Sequence, residues 1–313
     1  MPRKPNFDPA QAITNELIAI LERGTMPWRK PWRAGGSSCP LRHNGETYQG
    51  VNNFLLTMRT LMSGYGSPYW MTMRQANELD ARIRKGEKSS IVVYYGQSYK
   101  SGDGNTDQNL PEDTDGDRDN GARGIPFMKS YRVFNADQID GLEQRFYPDA
   151  DPVREETEAA PRPIAYMQSF FDAIRADVVT SGREAKYVPT LDRIYMPEFS
   201  LFKSAEAYYA TLGHEFVHYT KARHRLNRSF GDARFGNTAY SREEIVADLG
   251  SLFLGQHLGY APHTLENTAA YIDHWLRVLK SDKRAIFALS GDAKRASEYL
   301  IEASQQGVRH EAA

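Results

Sequence analysis

The chain has 313 residues, 40% of them hydrophobic, enough to fill the cores of two domains. Its 39 Lys and Arg nearly balance 40 Asp and Glu, and a formal net charge of -1 excludes a uniformly polybasic nucleic-acid binder. The lone cysteine, Cys39, excludes an intrachain disulfide and fits a reducing compartment. No run approaches the ~18 apolar residues of a membrane span, and the N-terminus MPRKPNFDPAQ lacks an apolar signal segment. The expectation is a soluble cytoplasmic protein with no membrane partner.

In chain order, residues 8–23 read as an amphipathic helix, with Ile13, Leu17, Ile20 and Leu21 on one face and Gly24 as its stop. Met26-Pro27-Trp28-Arg29-Lys30-Pro31-Trp32-Arg33 reads as extended, because each proline disfavours helix at the residue before it. A second helix is expected from Asn52 to Leu61, and a third from Met71 to Ile83 with Thr72 as its cap. Ser90 to Tyr95 is a strand by its β-branched and aromatic content. Residues 99–124 are nearly devoid of apolar side chains and read as a disordered insert or surface loop. Pairing resumes at Pro126 to Phe134, antiparallel to 90–96. Charge is segregated: residues 1–98 carry thirteen Lys/Arg against seven Asp/Glu, and residues 99–124 carry three against seven.

The acidic, proline-containing stretch 148–163 reads as a linker, dividing a unit at 1–147 from a second at 164–313. The second unit opens with a helix near Ile164, followed by a short hairpin at Lys186 to Val188 and Arg193 to Met196. That hairpin is either an ordinary surface element or an edge that receives an extended peptide. Residues 264–305 read as helical, with a break near Gly291.

His214-Glu215-Phe216-Val217-His218 matches H-E-x-x-H. On a helix capped by Ser204, the two imidazoles lie one turn apart and can reach one metal ion, and Glu215 stands beside them as a general base. That pattern is the core of a zinc-dependent hydrolase. A catalytic zinc usually has three protein ligands and an open position. Glu244 is the preferred third, because Asp248 lies one helical turn on, where it can accept a hydrogen bond from a ligating histidine. Glu243 lacks such a partner and is the lesser candidate. Ser241-x-x-Glu244 also fits a capping box. His224 and Tyr240 are both candidates for stabilising an oxyanion.

Towards the N-terminus, Trp28, Arg29, Lys30, Trp32 and Arg33 interleave rings with cations. Tyr48, Tyr65, Tyr69 and Trp70 continue the aromatics, and Arg84, Lys85 and Lys88 add charge. Single-stranded nucleic acid is held by such mixtures, bases stacking on rings and phosphates meeting Lys or Arg. Core tryptophans and solvated cations would give the same pattern.

Two sets of motifs together resemble the ArdC-type antirestriction proteins of conjugative plasmids. The N-terminal set is Pro27-Trp28-x-x-Pro31-Trp32, Tyr48-x-Gly50-Val51-Asn52, Trp70-Met71-Thr72, Arg84-Lys85-Gly86-Glu87-Lys88 and Tyr131-x-Val133-Phe134-Asn135. The C-terminal set is Tyr209-x-Thr211-Leu212-x-His214-Glu215-x-x-His218 and Glu243 to Gly250. The resemblance covers most of residues 8–305 and excludes the insert. It implies an α+β protein of two domains: N-terminal helices with a small antiparallel sheet, then a zincin-like metallopeptidase domain. It further implies binding of single-stranded DNA, and of double-stranded DNA more weakly, through Trp28, Arg29, Lys30, Trp32, Arg33, Tyr48, Asn52, Trp70, Arg84, Lys85 and Lys88. It places one Zn2+ on His214, His218 and Glu244 with Glu215 as base, and it points to an unidentified host protein as substrate. The role implied is protection of incoming plasmid DNA from restriction. The alternative is a DNA-coating protein whose metal site is structural or vestigial.

Overall fold

The computed structural model describes residues 7–22, 39–98, 125–147, 163–231, 238–260 and 269–311. The segment containing Trp28, Arg29, Lys30, Trp32 and Arg33, the insert at 99–124 and nearly all of the linker at 148–163 lie outside them.

Helix α1 (Pro9–Leu21) starts where the Asp8 carboxylate accepts the Gln11 N–H at 3.1 Å, with Pro9 in the first turn. Its buried face is Ile13, Leu17, Ile20 and Leu21. Strand β1 (Leu41–Arg42) precedes α2 (Gly50–Ser63), whose residues 51–58 are all buried and which stops at Gly64 in the left-handed region, φ 70°.

The helix expected from Met71 to Ile83 is mostly replaced by other elements. Trp70 and Met71 belong to β2 (Tyr69–Thr72) and fill different core clusters on opposite sides of the strand. Thr72 does cap a helix, through a reciprocal capping box with Gln75, but α3 (Met73–Glu78) has only six residues. Asp80 then adopts φ 56°, the Ala81 N–H returns to the Ala76 carbonyl, and the chain leaves as β3 (Arg82–Ile83).

Strands β4 (Ser90–Ser98) and β5 (Ile125–Asn135) pair antiparallel from Ser90↔Val133 to Ser98↔Ile125, as their composition predicts. The four-stranded order is β1-β2-β5-β4, and β3 pairs separately with β6 (Ile139–Asp140). The free edge of β4 faces α2. There the Asn52 side-chain amide donates to the Val93 carbonyl at 2.7 Å and accepts the Val93 N–H at 2.8 Å. Asn52 thus acts as a one-residue strand partner and caps an edge that would otherwise invite pairing with another chain. The structure corrects three expected DNA contacts. Asn52 is committed to this edge, Trp70 is 0% exposed and Tyr48 6% exposed, so none presents a surface on which a base could stack.

The C-terminal half opens with α4 (Ala165–Ala173), then a three-stranded sheet ordered β7 (Asp177–Thr180), β9 (Arg193–Met196), β8 (Lys186–Val188). The β8–β9 hairpin is as expected, and β7 adds a parallel strand the sequence reading did not assign. Helices α5 (Ala205–Tyr219), α6 (Thr238–Leu258), α7 (Ala269–Ser281) and α8 (Ala285–Glu311) follow. The break expected at Gly291 lies instead at Asp282 to Arg284, because Asp282 accepts the Arg284 N–H at 2.8 Å and starts α8. Gly291 is inside that helix, whose buried line Ile286, Leu289, Ala293, Ala296 and Leu300 repeats at three and four residues. No described helix is long and apolar enough to cross a membrane.

The principal core is shared by the two halves: Ile13, Leu17, Val51 and Phe54 join one cluster with Phe216, Leu249, Trp275 and Leu289. Polar contacts reinforce the joint. Asn53 and Gln256 exchange amide hydrogen bonds at 2.8 and 3.0 Å, and the Thr14 hydroxyl donates to the Lys283 carbonyl at 2.8 Å. Helices α5 and α6 approach closely at Gly250, where an added Cβ would lie 2.7 Å from Val217 Cγ2.

Two outcomes test this packing. Asn52→Ala, which leaves two buried strand groups without partners, is expected to lose about 1–3 kcal/mol of unfolding free energy in chemical denaturation. Gly250→Ala is expected to lose about 1–3 kcal/mol by forcing α5 and α6 apart. Wild-type midpoints for both would contradict the packing described.

Candidate metal centre

Helix α5 exists for local reasons and delivers both histidines. The Ser204 hydroxyl caps it by accepting the Ala207 N–H at 3.1 Å. Tyr209, Leu212, Phe216 and Val217 bury its apolar side, and His214, Glu215 and His218 are themselves only 6%, 4% and 8% exposed. Gly213 has a packing reason: a Cβ there would collide with the Tyr260 hydroxyl, which donates to the Ser251 carbonyl of α6 at 3.2 Å.

The two Nε2 atoms of His214 and His218 lie 3.1 Å apart. Glu244 reaches both, with Oε2 3.6 Å from His214 Nε2 and Oε1 3.6 Å from His218 Nε2. One ligand atom from each of these three residues lies within 4.8 Å of the others. Ligands about 2.0–2.1 Å from a common tetrahedral ion sit roughly 3.3 Å apart, so the spacing fits one ion shared by all three. The donor set, two imidazoles and one carboxylate, is one that suits a divalent ion such as zinc. No other group of three potential metal ligands occurs among the described residues.

Both rings are held from behind. Asp248 Oδ1 lies 3.3 Å from His214 Nδ1, and its other oxygen accepts the Trp275 indole N–H at 3.3 Å. Glu243 Oε1 lies 3.0 Å from His218 Nδ1. Each carboxylate favours a proton on Nδ1, which turns the Nε2 lone pair towards the shared point. Glu243, the lesser ligand candidate, stands outside the ligand group: the adjacent pair Glu243 and Glu244 brackets His218, one carboxylate behind the ring and one in front. Its partner Arg228 lies in no motif.

Charge follows this geometry. Burial opposes a charge on His214, but its hydrogen bonds to the Asp248 and Glu244 carboxylates outweigh it and raise its pKa. Burial raises Asp248 as well, against the hydrogen bonds it accepts from His214 and Trp275. Glu243 and Glu244 are both held near about 2: burial pushes each up, and the histidines, with Arg228 for Glu243 and Tyr240 for Glu244, overcome it. Both stay ionised at neutral pH. Glu215 adds negative charge that raises His214 and Tyr240.

Of the two oxyanion candidates, Tyr240 sits at the site, its hydroxyl donating to Glu244. His224 is elsewhere, exposed and 3.3 Å from Asp192. Ser241 is not a cap; it lies inside α6 with its hydroxyl 2.9 Å from His274 Nδ1. Among the N-terminal cations, Lys85 and Lys88 are exposed, while Arg84 is engaged by Glu87 at 3.2 Å, Asp140 at 3.6 Å and the Asp137 carbonyl.

Comparison with known proteins agrees with both halves. The family described as the N-terminal domain of anti-restriction factor ArdC matches residues 7–134, and the zincin-like metallopeptidase family matches residues 165–292. Protein y4eC of Sinorhizobium fredii (strain NBRC 101917 / NGR234), itself uncharacterised, is 34% identical over 99% of this chain and 96% of its own length. Two DNA primase TraC proteins of Escherichia coli are each 31% identical over 98% and 96% of this chain, which spans only 20% and 28% of the primases. The crystal structure of the antirestriction protein ArdC from plasmid R388 in its metal-free form superposes with a TM-score of 0.76 at 39% identity, covering 96% of this chain and 99% of that one. Its Mn(II)-bound form gives 0.74 at 39% identity, covering 95% and 98%. With both domains matched in order and the full length of a solved relative covered, the chain belongs to the ArdC antirestriction family.

Proposed function

We propose that this protein acts in the cytoplasm as an antirestriction factor that binds single-stranded DNA with its N-terminal half and hydrolyses a host protein at a zinc site in its C-terminal half. In doing so it protects incoming plasmid DNA during conjugation. The observation that carries the reading is the convergence of His214, His218 and Glu244 on one point with Glu215 buried beside it. The Mn(II)-bound state of the R388 relative supports a divalent ion there, and we assign one Zn2+ per chain on the chemistry of the donor set.

When bound, such an ion supplies Lewis acidity at neutral pH. The chain supplies the rest. Glu215 takes a proton from the attacking water and returns it to the leaving amine of the peptide. Asp248 and Glu243 keep His214 and His218 in one tautomer and orientation. Tyr240 donates its hydroxyl to Glu244 and keeps that carboxylate turned towards the two histidines.

For the N-terminal half, the ArdC-type match supports DNA binding, as does the surplus of cations in residues 1–98. Lys85 and Lys88 are exposed in the turn leading to β4 and suit phosphates. The segment from Trp28 to Arg33 is the remaining candidate for base stacking. Tethering of the hydrolytic half to entering DNA raises its effective concentration near proteins bound there.

Two experiments check this reading. Glu215→Gln is expected to keep its metal content and DNA affinity but lose protection of a transferred plasmid in a restricting host. Full protection by that variant would leave DNA coating as the function. Lys85→Ala is expected to weaken single-strand binding and reduce the slope of log affinity against log salt by about 1; an unchanged slope would remove Lys85 from the interface.

A further inference from the structure

Arg228 lies ten residues beyond the H-E-x-x-H segment, and its side chain is only 5% exposed. Its guanidinium makes four hydrogen bonds. Nη2 donates to Glu243 Oε1 at 2.9 Å and to the Val217 carbonyl at 3.0 Å, Nε donates to Glu243 Oε2 at 3.0 Å, and Nη1 donates to the Thr220 hydroxyl at 3.0 Å. Val217 and Thr220 lie either side of His218 in sequence. One planar cation therefore grips both the end of the helix that carries His218 and the carboxylate behind its ring.

The chain is folded to bring it there. After α5 the Leu226 N–H returns to the Thr220 carbonyl, the Asn227 N–H to Ala222 and the Arg228 N–H to Lys221, with Asn227 at φ 48°. Arg228 thus reaches back along α5 to meet Glu243 from α6. Among the described residues, Lys221 is the other cation near it, 3.8 Å from Glu243 Oε1 and more exposed, at 28%. His214 is held differently, by Asp248 with the neutral Trp275 N–H behind it.

We propose that Arg228 is a positioning residue of the metal centre: through its two-pronged hold on Glu243 it keeps the His218 ring turned so that Nε2 faces His214 and Glu244. This rests on the metal-site reading above. A planar fork fixes both oxygens of a carboxylate, so Glu243 cannot swing away from Nδ1. Without it, the ring loses its rear support while the ligand set stays intact. Outer partners of this kind are worth roughly 10–100-fold in metal affinity.

The test uses the full chain as wild type, Arg228→Met, Glu243→Gln, the double variant, and Asp248→Asn alone and with Arg228→Met. Zn2+ affinity is read by competition with a chromophoric chelator at one pH, and the stability of each metal-free chain by urea denaturation. Arg228→Met and Glu243→Gln are each expected to weaken Zn2+ binding by about 10-fold or more. The double variant is expected to be no weaker than the worse single, because the two act through one contact. Asp248→Asn is expected to add its own loss, because it acts through His214. Wild-type Zn2+ affinity in Arg228→Met, with only the urea midpoint lowered, would reduce Arg228 to a cap of α5 and overturn the proposal. If Arg228→Met does not fold, Glu243→Gln decides, since it leaves the contacts with Val217 and Thr220 in place; wild-type affinity there overturns the proposal equally. A wild-type chain that binds no Zn2+ would instead sink the metal-site reading on which it rests.

Discussion

Everything at the centre of this molecule answers to one constraint: two imidazoles on one helix must aim the same nitrogen at one point while buried. A histidine ring can rotate and can carry its proton on either nitrogen, so one turn of spacing along α5 is necessary but does not suffice. A single neighbouring helix removes the freedom. Helix α6 supplies Glu243 behind His218, Asp248 behind His214 and Glu244 in front of both. Three carboxylates within six residues hold the two rings of α5, and their mutual repulsion is tolerated because imidazoles, Arg228, Trp275 and Tyr240 lie between and beyond them.

The relation of α5 to α6 is therefore the quantity the rest of the fold has to maintain. Close approach at Gly250 sets their separation, and Tyr260 fills the space left at Gly213. Helix α8 packs along α6, and α2 packs in turn on α8. At the far end of α6 Gln256 is paired with Asn53 of α2, and the preceding residue of α2, Asn52, closes the edge of β4. A continuous line of packed and hydrogen-bonded groups thus runs from the N-terminal sheet to the helix that carries Glu244. The core does not divide where the acidic stretch suggests a linker, since α1 and α2 bury their apolar faces against the C-terminal helices.

The N-terminal half shows why aromatic and amide residues are hard to assign from a string. Trp70, Tyr48 and Asn52 have the composition of a nucleic-acid surface, yet Trp70 and Tyr48 share a core cluster with Leu56 and Val133, and Asn52 serves a backbone edge. Rings stack on bases or on neighbouring side chains by the same physics, and only burial separates the two. Arg84 is a milder case, exposed but tied to acidic and carbonyl partners. Lys85 and Lys88 have side chains long enough to stay in water whatever the backbone does, so their exposure was legible.

By itself, the sequence determined what depends on local spacing: the α1 face, the Thr72 and Ser204 caps, the β4–β5 and β8–β9 pairs, and the three residues His214, His218 and Glu244 that share one point. Helical periodicity and strand alternation act over a few residues and can be read without knowing what packs nearby. Tertiary structure alone decided the brevity of α3, where Met71 was claimed by a sheet, and the position of the break before α8. It alone placed Glu243, Arg228 and Trp275 behind the histidines. Arg228 meets Glu243, and Trp275 meets Asp248, across separate segments, because a buried carboxylate must find a donor. No pattern within one segment announces such a partner, for it is selected by the space that folding leaves.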